Sequence, residues 1–506
     1  MGRQLSPLVG RDGKDLNDQP AAVAQPPTSR GGASAFGRGN PDETPSALTA
    51  APREEPMELG QAIRSVEAGE GTASFEVFAR HMDRAWIDQA LQATGTATVR
   101  RRKLPAEYVV WIVIGMGLLR DRSIQEVVRH LDLVLPDVDG PRARGAVTGS
   151  AIVQARDRLG AEPLAALFAQ TAEHWAATSA DQHRWRGLAL YGVDGSTLRL
   201  PDTKENETVF GRPGSSRGRT AYPQLRFVAL MALRSHLLAG AVVGPCTEAE
   251  LTLADPIWDR LPDASLTVLD RGFLSYRLLH RLHRESQRRH WLIRAKVNLR
   301  WEVVQPLGPH DQLVDLLVPR ALRQHHPEMP ERLRVRVLRY QRRGFRPQTL
   351  LTSLLDAVAY PAAELADLYH ERWEMEMGFD EIKTHTLERE EALLRSREPE
   401  RVRQEFWGLA LGYNLVRLEM ERSAHRAGVP PRRISYRHAL MLIRNFWVTA
   451  WLASPGNVPR RLDALHDEMA LLILPERRPR RFPRAVKIKM SNYPLKRKPC
   501  ASRRAN

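Results

Sequence analysis

The sequence predicts an α/β fold in which a helical N-terminal region precedes a mixed sheet. Three observations support this fold class. Between residues 58 and 160, apolar residues recur at helical spacing. From residue 188 onward, short apolar runs alternate with turn residues, as is typical of strands. Beyond residue 360, helical patterns dominate again, so we expect helices to complete the sheet.

The N-terminal region divides into a leader and a helical segment. Residues 1–57 are rich in Pro, Gly, Ala, Ser and Gln without an apolar period, which predicts a disordered leader. Residues 109–119 form the longest apolar run, which predicts a buried helix. Ser123 and Glu126 form a capping box that starts another helix. The cluster Arg100-Arg-Arg-Lys103 suits contact with nucleic acid, although solvated arginines on an ordinary helical domain explain it equally well.

The middle of the chain reads as a sheet with a recognisable order. Helices are predicted over residues 248–261 and 276–284. Strands are predicted over residues 188–193, 225–233, 237–243, 265–269 and 290–295. The order strand, strand, strand, helix, strand, helix, strand is that of a ribonuclease-H-like sheet.

Two aspartates follow apolar strands of this sheet. Asp194 and Asp270 each come directly after such a strand, and aspartates in this position often only cap a turn. Glu376, however, lies on a later helix that can pack beside them. Three converging carboxylates would repel one another unless a divalent cation neutralised them, and hard oxygen ligands favour Mg²⁺ or Mn²⁺ over zinc. Two such ions about 3.5–4 Å apart can activate a water or a 3′-hydroxyl for phosphoryl transfer.

Glu376 belongs to a patterned segment. Tyr369, Arg372, Glu376 and Lys383 are spaced so that a regular helix would carry them on nearly one face. A carboxylate between two cations suits a site that binds a metal ion and grips phosphate oxygens. The alternative is a solvated helix face with ion pairs four residues apart, and for an arbitrary charged helix that alternative is the commoner one.

Composition narrows the class of partner. The chain has 506 residues, a formal net charge of +17 and a sequence pI near 10.3. Such a basic excess favours nucleic acid as partner, and no long basic amphipathic helix indicates a membrane surface. The two cysteines, Cys246 and Cys500, fit a reducing cytosol better than a disulfide framework or a Cys-rich zinc site. We therefore expect a cytoplasmic, DNA-associated protein without a membrane partner.

The motifs Asp194-Gly-Ser-Thr, Asp270-Arg-Gly-Phe and Tyr369-x2-Arg372-x3-Glu376-x6-Lys383 resemble those of DDE transposases of the IS4 insertion-sequence family. The resemblance runs from about residue 70 to the C-terminus. It implies that Asp194, Asp270 and Glu376 are the catalytic, metal-binding triad, and that Tyr369, Arg372 and Lys383 contact DNA. It also implies cut-and-paste transposition by strand nicking, hairpin formation and opening, and strand transfer.

The resemblance further implies partners and a division of the chain. The DNA partners would be the terminal inverted repeats of the element and the target DNA, bound by a dimer. A helical DNA-binding domain would occupy residues 58–165, and the catalytic core residues 166–295 and 361–450. A β-rich insertion would occupy residues 296–360 and a basic C-terminal region residues 451–506. Two alternatives remain at this point: a nuclease on the same core that cuts without joining, and a catalytically silent DNA-binding descendant.

Overall fold

A single mixed sheet of nine strands organises the protein, as described by a computed structural model. The description covers residues 78, 81–97, 104–130, 148–214, 220–284, 288–342, 346–388, 393–450 and 457–476. The predicted leader, residues 1–57, and most of the predicted basic C-terminal region lie outside these ranges. The strands are β1 (Ala189–Arg199), β2 (Gln224–Ala232), β3 (Leu238–Pro245), β4 (Ser265–Leu269), β5 (Arg289–Arg294), β6 (Trp301–Gly308), β7 (Asp311–Leu317), β8 (Arg332–Tyr340) and β9 (Gln348–Thr352).

The sheet contains the predicted core and extends it. Its spatial order is β3-β2-β1-β4-β5-β9-β8-β7-β6. Strands β1, β4 and β5 are parallel neighbours, and all other neighbouring pairs are antiparallel. The segment predicted as a β-rich insertion supplies β6 to β9. Because β9 pairs with β5, these four strands continue the core sheet instead of forming a separate layer.

Fourteen α-helices of the described residues accompany the sheet. They are α1 (Arg84–Ala93), α2 (Ala106–Leu118), α3 (Ile124–His130), α4 (Gly149–Leu159), α5 (Glu162–Gln182), α6 (Lys204–Phe210), α7 (Glu250–Leu253), α8 (Tyr276–Arg284), α9 (Arg320–His325), α10 (Ala362–His370), α11 (Trp373–Asp380), α12 (Pro399–Arg426), α13 (Tyr436–Ala450) and α14 (Val458–Ala470). The helix predicted over residues 248–261 is instead α7 followed by the 3₁₀ turn Asp255–Arg260, because Pro256 lacks the N–H that a continuous helix needs.

The long helix α12 is the centre of the helical packing. It contacts α2, α5, α13, α14 and the sheet strand β3. The apolar helix α2 crosses it at close range. A Cβ atom at residue 408 would lie 2.6 Å from the carbonyl oxygen of Val113, and one at residue 117 would lie 2.9 Å from Cα of Leu409. Glycine at both positions therefore allows the N-terminal helices to pack directly onto the helices that follow the sheet.

No helix within the described ranges has both the length and the apolar character needed to cross a bilayer.

Candidate active site

The pairing of β1 with β4 brings the two predicted aspartates together. In the parallel register Val193 lies opposite Leu269, and the next residue of each strand is an aspartate. Asp270 follows the last residue of β4, as predicted. Asp194 differs from the prediction because β1 continues past it to Arg199, paired with β2. The two side chains still lie at the same edge of the sheet, because the pairing of β4 with β1 ends just before the two aspartates.

Both aspartates use one oxygen to order the local backbone. The N–H of Gly195 donates to Asp194 Oδ1 at 2.8 Å, and the N–H of Gly272 donates to Asp270 Oδ2 at 3.2 Å. The capping role that an aspartate in a turn commonly has is therefore real for Asp270, which caps the short turn Arg271–Phe273. In each case the second carboxylate oxygen is left facing the site.

Helix α11 delivers Glu376 through close contacts with the sheet. A Cβ atom at residue 192 of β1 would lie 2.8 Å from Met375 Sδ. A Cβ atom at residue 378 would lie 2.4 Å from Cε of Met231 on β2. These two glycines let α11 approach β1, which carries Asp194, and the neighbouring strand β2, so that Glu376 lies beside the aspartates.

Arg372 joins the three carboxylates. Its Nη2 donates to Glu376 Oε1 at 2.8 Å, its Nη1 lies 3.7 Å from Asp194 Oδ2, and its Nε lies 3.9 Å from Asp270 Oδ1. The Arg372 side chain is 15% exposed. Three carboxylates from separate parts of the sequence thus face one guanidinium. Sequence reasoning had assigned Arg372 only to phosphate contact.

The cluster carries more negative than positive charge. Burial raises the pKa of Asp194 to about 6, with Glu250 and Asp270 adding to the rise and the Gly195 N–H and Arg372 opposing it. Within the described residues, no three His, Cys, Asp or Glu side chains are close enough together to share one ion. Here a guanidinium provides the neutralising charge. The donors are nevertheless hard carboxylate oxygens on a rigid sheet edge, and this set fits a divalent cation of the magnesium type.

Lys383 approaches the cluster from a different element. The segment from Tyr369 to Lys383 is not one regular helix, because α10 ends at His370 and α11 begins at Trp373. The π-helix Glu381–Thr386 then carries Lys383. Lys383 Nζ donates to Ser196 Oγ at 3.1 Å, two residues beyond Asp194. Burial and the nearby Arg199 lower the pKa of Lys383. The four side chains therefore do not share one face of a single helix; Arg372 and Lys383 instead contact β1 at Asp194 and Ser196.

Tyr369 lies on the other side of Arg372. Its ring is 7% exposed, and burial raises the pKa of its hydroxyl to about 12, so the phenol remains a neutral donor. It lines a pocket of 240 Å³ next to Asp270. The other walls are mostly aromatic or cationic and come from β5, β8, β9, the β8–β9 loop and the α10–α11 segment: Arg294, Tyr340, Arg342, Arg346, Gln348, His370, Arg372 and Trp373.

A buried network that sequence reasoning missed holds α11 from its far side. His236 is 1% exposed and lies in the β2–β3 turn with φ of +64°. Its Nε2 lies 2.9 Å from Glu374 Oε2, and its Nδ1 lies 3.2 Å from Glu381 Oε1. Although burial alone would raise it, Arg417 and His236 lower the pKa of Glu381 to about 2. No local motif marks this network, because its members are far apart in sequence.

Comparison with known proteins assigns the chain to a family. The family model for the insertion element 4 transposase N-terminal region matches residues 72–169, and the transposase DDE domain model matches residues 187–415. Over 440 residues the chain is 36% identical to the transposase InsG for insertion sequence element IS4 of Escherichia coli strain K12. That match covers 87% of this chain and 98% of the relative.

Two further similarities were found. The putative transposase InsZ of the same organism is 38% identical over 233 residues, which is 46% of this chain and 75% of the relative. A cryo-EM structure of a piggyBac transposase synaptic complex with hairpin DNA matches with a TM-score of 0.40 and 10% identity, covering 80% of this chain and 86% of that chain.

The fold and the family matches define a DDE transposase, an enzyme that cleaves DNA strands and transfers them. The chain belongs to the IS4 insertion-sequence family of these enzymes. The predictions of an α/β fold with a ribonuclease-H-like core, of transposase activity and of a DNA partner are therefore confirmed. Membership also establishes dependence on a divalent metal ion.

Proposed function

We propose that Asp194, Asp270 and Glu376 are the catalytic triad and bind two Mg²⁺ ions, for which Mn²⁺ can substitute. The observation that carries this proposal is the set of three carboxylates around one Arg372 guanidinium. When bound, the ions would lower the pKa of an attacking water or 3′-hydroxyl and stabilise the leaving oxygen of an in-line displacement. The half-buried Asp194 and the two more exposed carboxylates would hold these ions at the edge of the sheet.

The cationic and phenolic side chains would bind the DNA strand. Arg372 already faces all three carboxylates, so a phosphate drawn to its free N–H groups would lie beside the triad. Lys383, held by Ser196, would contact a phosphate on the β1 side. The neutral hydroxyl of Tyr369 would donate to a phosphate oxygen from the pocket side. These three groups would then bind the phosphate backbone of the DNA and would not distinguish one base sequence from another.

The reaction we propose is cut-and-paste transposition of the chain's own insertion sequence. Water hydrolyses one strand at the element end and leaves a 3′-hydroxyl. This hydroxyl attacks a phosphodiester of the opposite strand, so that a DNA hairpin closes and the 3′-oxygen of the flanking DNA leaves. A second water opens the hairpin and regenerates the 3′-hydroxyl, which attacks a phosphodiester of the target DNA and displaces a target 3′-oxygen. Each step is a phosphoryl transfer at the same three carboxylates. The phosphate contacts of Arg372, Lys383 and Tyr369 would keep the DNA strand near these carboxylates between steps.

Other parts of the chain would supply end recognition and general affinity. We propose that residues 58–165 bind the terminal inverted repeats and that two copies act together on the paired ends. Residues 166–295 and 361–450 would form the catalytic core around an insertion at residues 296–360. The region 451–506 would add salt-sensitive phosphate contacts, since twelve Lys or Arg residues oppose one Glu between residues 476 and 506.

The test uses a supercoiled plasmid carrying the element with its own ends. Purified protein is incubated with Mg²⁺ or EDTA, and products are separated on denaturing gels. Glu376→Gln should abolish cleavage while end binding persists, since a ligand is lost but the basic surface stays. Glu205→Gln, an exposed glutamate on α6, is the matched control. Cleavage by Glu376→Gln at the wild-type rate would exclude Glu376 as a ligand. Nicking without hairpins by the wild type would favour another cleavage route or a nuclease.

A further inference from the structure

The β2–β3 turn contacts three glutamates that precede residues of the proposed site. Arg234 donates to Glu371 from Nε at 3.2 Å and from Nη2 at 3.0 Å. The ring of His236 lies between two further carboxylates, with Nε2 2.9 Å from Glu374 Oε2 and Nδ1 3.2 Å from Glu381 Oε1. One short turn therefore holds α11 near both of its ends.

These glutamates lie one or two residues before side chains that face the proposed site. They are Glu371 before Arg372, Glu374 before Glu376 and Glu381 before Lys383. Two residues along an α-helix correspond to about 200° of rotation, so Glu374 and Glu376 point to opposite sides of α11. The Glu374 side chain is accordingly only 9% exposed and faces the turn, whereas that of Glu376 is 41% exposed and lies beside the aspartates.

The turn itself is fixed to the long helix α12. Buried Arg417 donates from Nε to the carbonyl oxygen of Ser235 at 2.7 Å. Asn414 pairs with the first residue of β3, since the Leu238 N–H donates to Asn414 Oδ1 and Asn414 Nδ2 donates to the Leu238 carbonyl oxygen, each at 2.9 Å. His236 adopts a φ of +64°, a conformation that costs a non-glycine residue about 1–3 kcal/mol. The contacts with α12 thus keep His236 in a defined place.

We propose that His236 is a positioning residue for the proposed metal ligand Glu376 and the proposed DNA contact Lys383. It acts on them through Glu374 and Glu381, and the inference therefore rests on the proposed function of the two site residues. Because Glu374 lies on α11 and Glu381 begins the π-helix, one imidazole fixes both elements. A metal ligand must be held within about 0.5 Å of its productive position, and residues that orient ligands typically contribute about 10–100-fold to metal affinity or activity.

The experiment compares His236→Asn with a control of the same chemistry. Asparagine tolerates the left-handed conformation of residue 236, but its shorter side chain cannot reach both carboxylates. His466→Asn is the matched control, since His466 is 2% exposed and its Nε2 lies 2.5 Å from Oε2 of the buried Glu419. That contact joins α14 to α12. Both variants are studied as full-length protein, at a temperature at which circular dichroism shows them to be folded.

Two quantities are measured on each variant. Isothermal titration calorimetry gives the affinity for Mn²⁺ without DNA, and single-turnover cleavage is followed on element ends bound beforehand. We expect His236→Asn to weaken Mn²⁺ binding by about tenfold and to slow cleavage by about 10–100-fold. His466→Asn should match the wild type in both, even if its unfolding temperature falls as far. Loss of folded protein lowers the number of Mn²⁺ sites, whereas a displaced ligand lowers the affinity of each site.

Glu374 provides a second pair of variants that leaves the turn unchanged. Glu374→Gln retains an oxygen that can accept a hydrogen bond from His236 Nε2, whereas Glu374→Ala has none. Mn²⁺ affinity and cleavage should therefore fall further in Glu374→Ala than in Glu374→Gln. Equal values in the two variants would contradict a role for the contact with His236.

Glu376→Gln distinguishes this inference from the proposed function. Wild-type Mn²⁺ affinity and cleavage in His236→Asn, with both reduced in Glu376→Gln, would overturn the role of His236 and leave the proposed triad intact. Unchanged affinity and cleavage in Glu376→Gln would overturn the proposed function, and the role of His236 with it. Equal losses in His236→Asn and His466→Asn would assign His236 to folding stability alone. Reduced affinity in His236→Asn and Glu376→Gln, with His466→Asn unaffected, supports the positioning role.

Discussion

Replacing Arg372 by alanine tests whether this side chain neutralises the carboxylate cluster. Its three contacts have N···O distances of 2.8, 3.7 and 3.9 Å. A charge pair at about 4 Å is worth about 4 kcal/mol at an effective dielectric constant of about 20. Solvent screens two of the pairs, since the side chains of Asp270 and Glu376 are 46% and 41% exposed, and such pairs contribute about 0.2–1 kcal/mol each.

The pair with Asp194 contributes most of the expected change in the free energy of unfolding, because the Asp194 side chain is only 21% exposed. We therefore expect Arg372→Ala to lower the free energy of unfolding in EDTA by about 2–3 kcal/mol. On the proposed function, divalent ions would bind the same carboxylates and replace the lost positive charge. The loss of stability should consequently be smaller at saturating Mn²⁺, while end binding or hairpin formation should remain impaired because the proposed phosphate contact is removed.

The assay is urea-induced unfolding followed by tryptophan fluorescence, in EDTA and in saturating Mn²⁺. Arg281→Ala is the control, since Arg281 also bridges two carboxylates, Asp255 and Asp259, whose side chains are 74% and 67% exposed. Its effect should stay within about 1 kcal/mol and be independent of Mn²⁺. An Arg372→Ala deficit that is equally large with and without Mn²⁺ would refute the reasoning and make Arg372 a purely structural residue.

Three further predictions concern packing, acid stability and DNA contact. Gly408→Ala should destabilise the protein by about 1–3 kcal/mol, because its methyl group would clash with the carbonyl oxygen of the facing helix α2. Gly308→Ala, which meets open space, should not, and equal thermal unfolding temperatures for the two variants would contradict the close crossing. Glu381 has a folded pKa of about 2, below its unfolded value of about 4.3. Its stabilisation is therefore fully present above about pH 4.3 and is lost as the pH falls towards 2. Glu381→Gln should thus lose stability at pH 7 and show a shallower decline between pH 4.3 and 2, and acid unfolding parallel to the wild type would disprove the assignment. Lys383→Met should weaken binding of element ends and reduce its salt dependence, whereas Ser196→Ala should have a smaller effect; salt-dependent gel-shift assays measure both.

Much of the core sheet was predictable because each strand has a local signal. The strand Ser265–Leu269 and the helix Tyr276–Arg284 coincide with their predicted bounds, since apolar runs and turn residues limit them directly. The continuation of β1 beyond Asp194 was not predicted. Among the described strands its second half pairs only with β2, besides a single bridge from Arg199 to Leu393, and its polar residues lack the apolar signal of a buried strand.

The segment around Glu376 likewise has features that the sequence predicted and features that it did not. Its residue types and spacing indicated a metal-binding and phosphate-binding site. The prediction that these residues share one face, however, required a single regular helix. In the structure α10 ends at His370 and the π-helix Glu381–Thr386 follows α11, and His236, from a distant part of the chain, contacts Glu374 and Glu381. Contacts between residues so far apart in the chain cannot be predicted from local sequence patterns.

The sequence alone determined the fold class and the family, and it predicted the three carboxylates, because strand periodicity and motif spacing are properties of neighbouring residues. Only the tertiary structure decided that Arg372 faces all three carboxylates and that Lys383 reaches Ser196. These contacts join residues from separate elements. Their distances follow from the register of β1 with β4 and from the close approach that glycines allow, which local patterns in a single sequence do not specify.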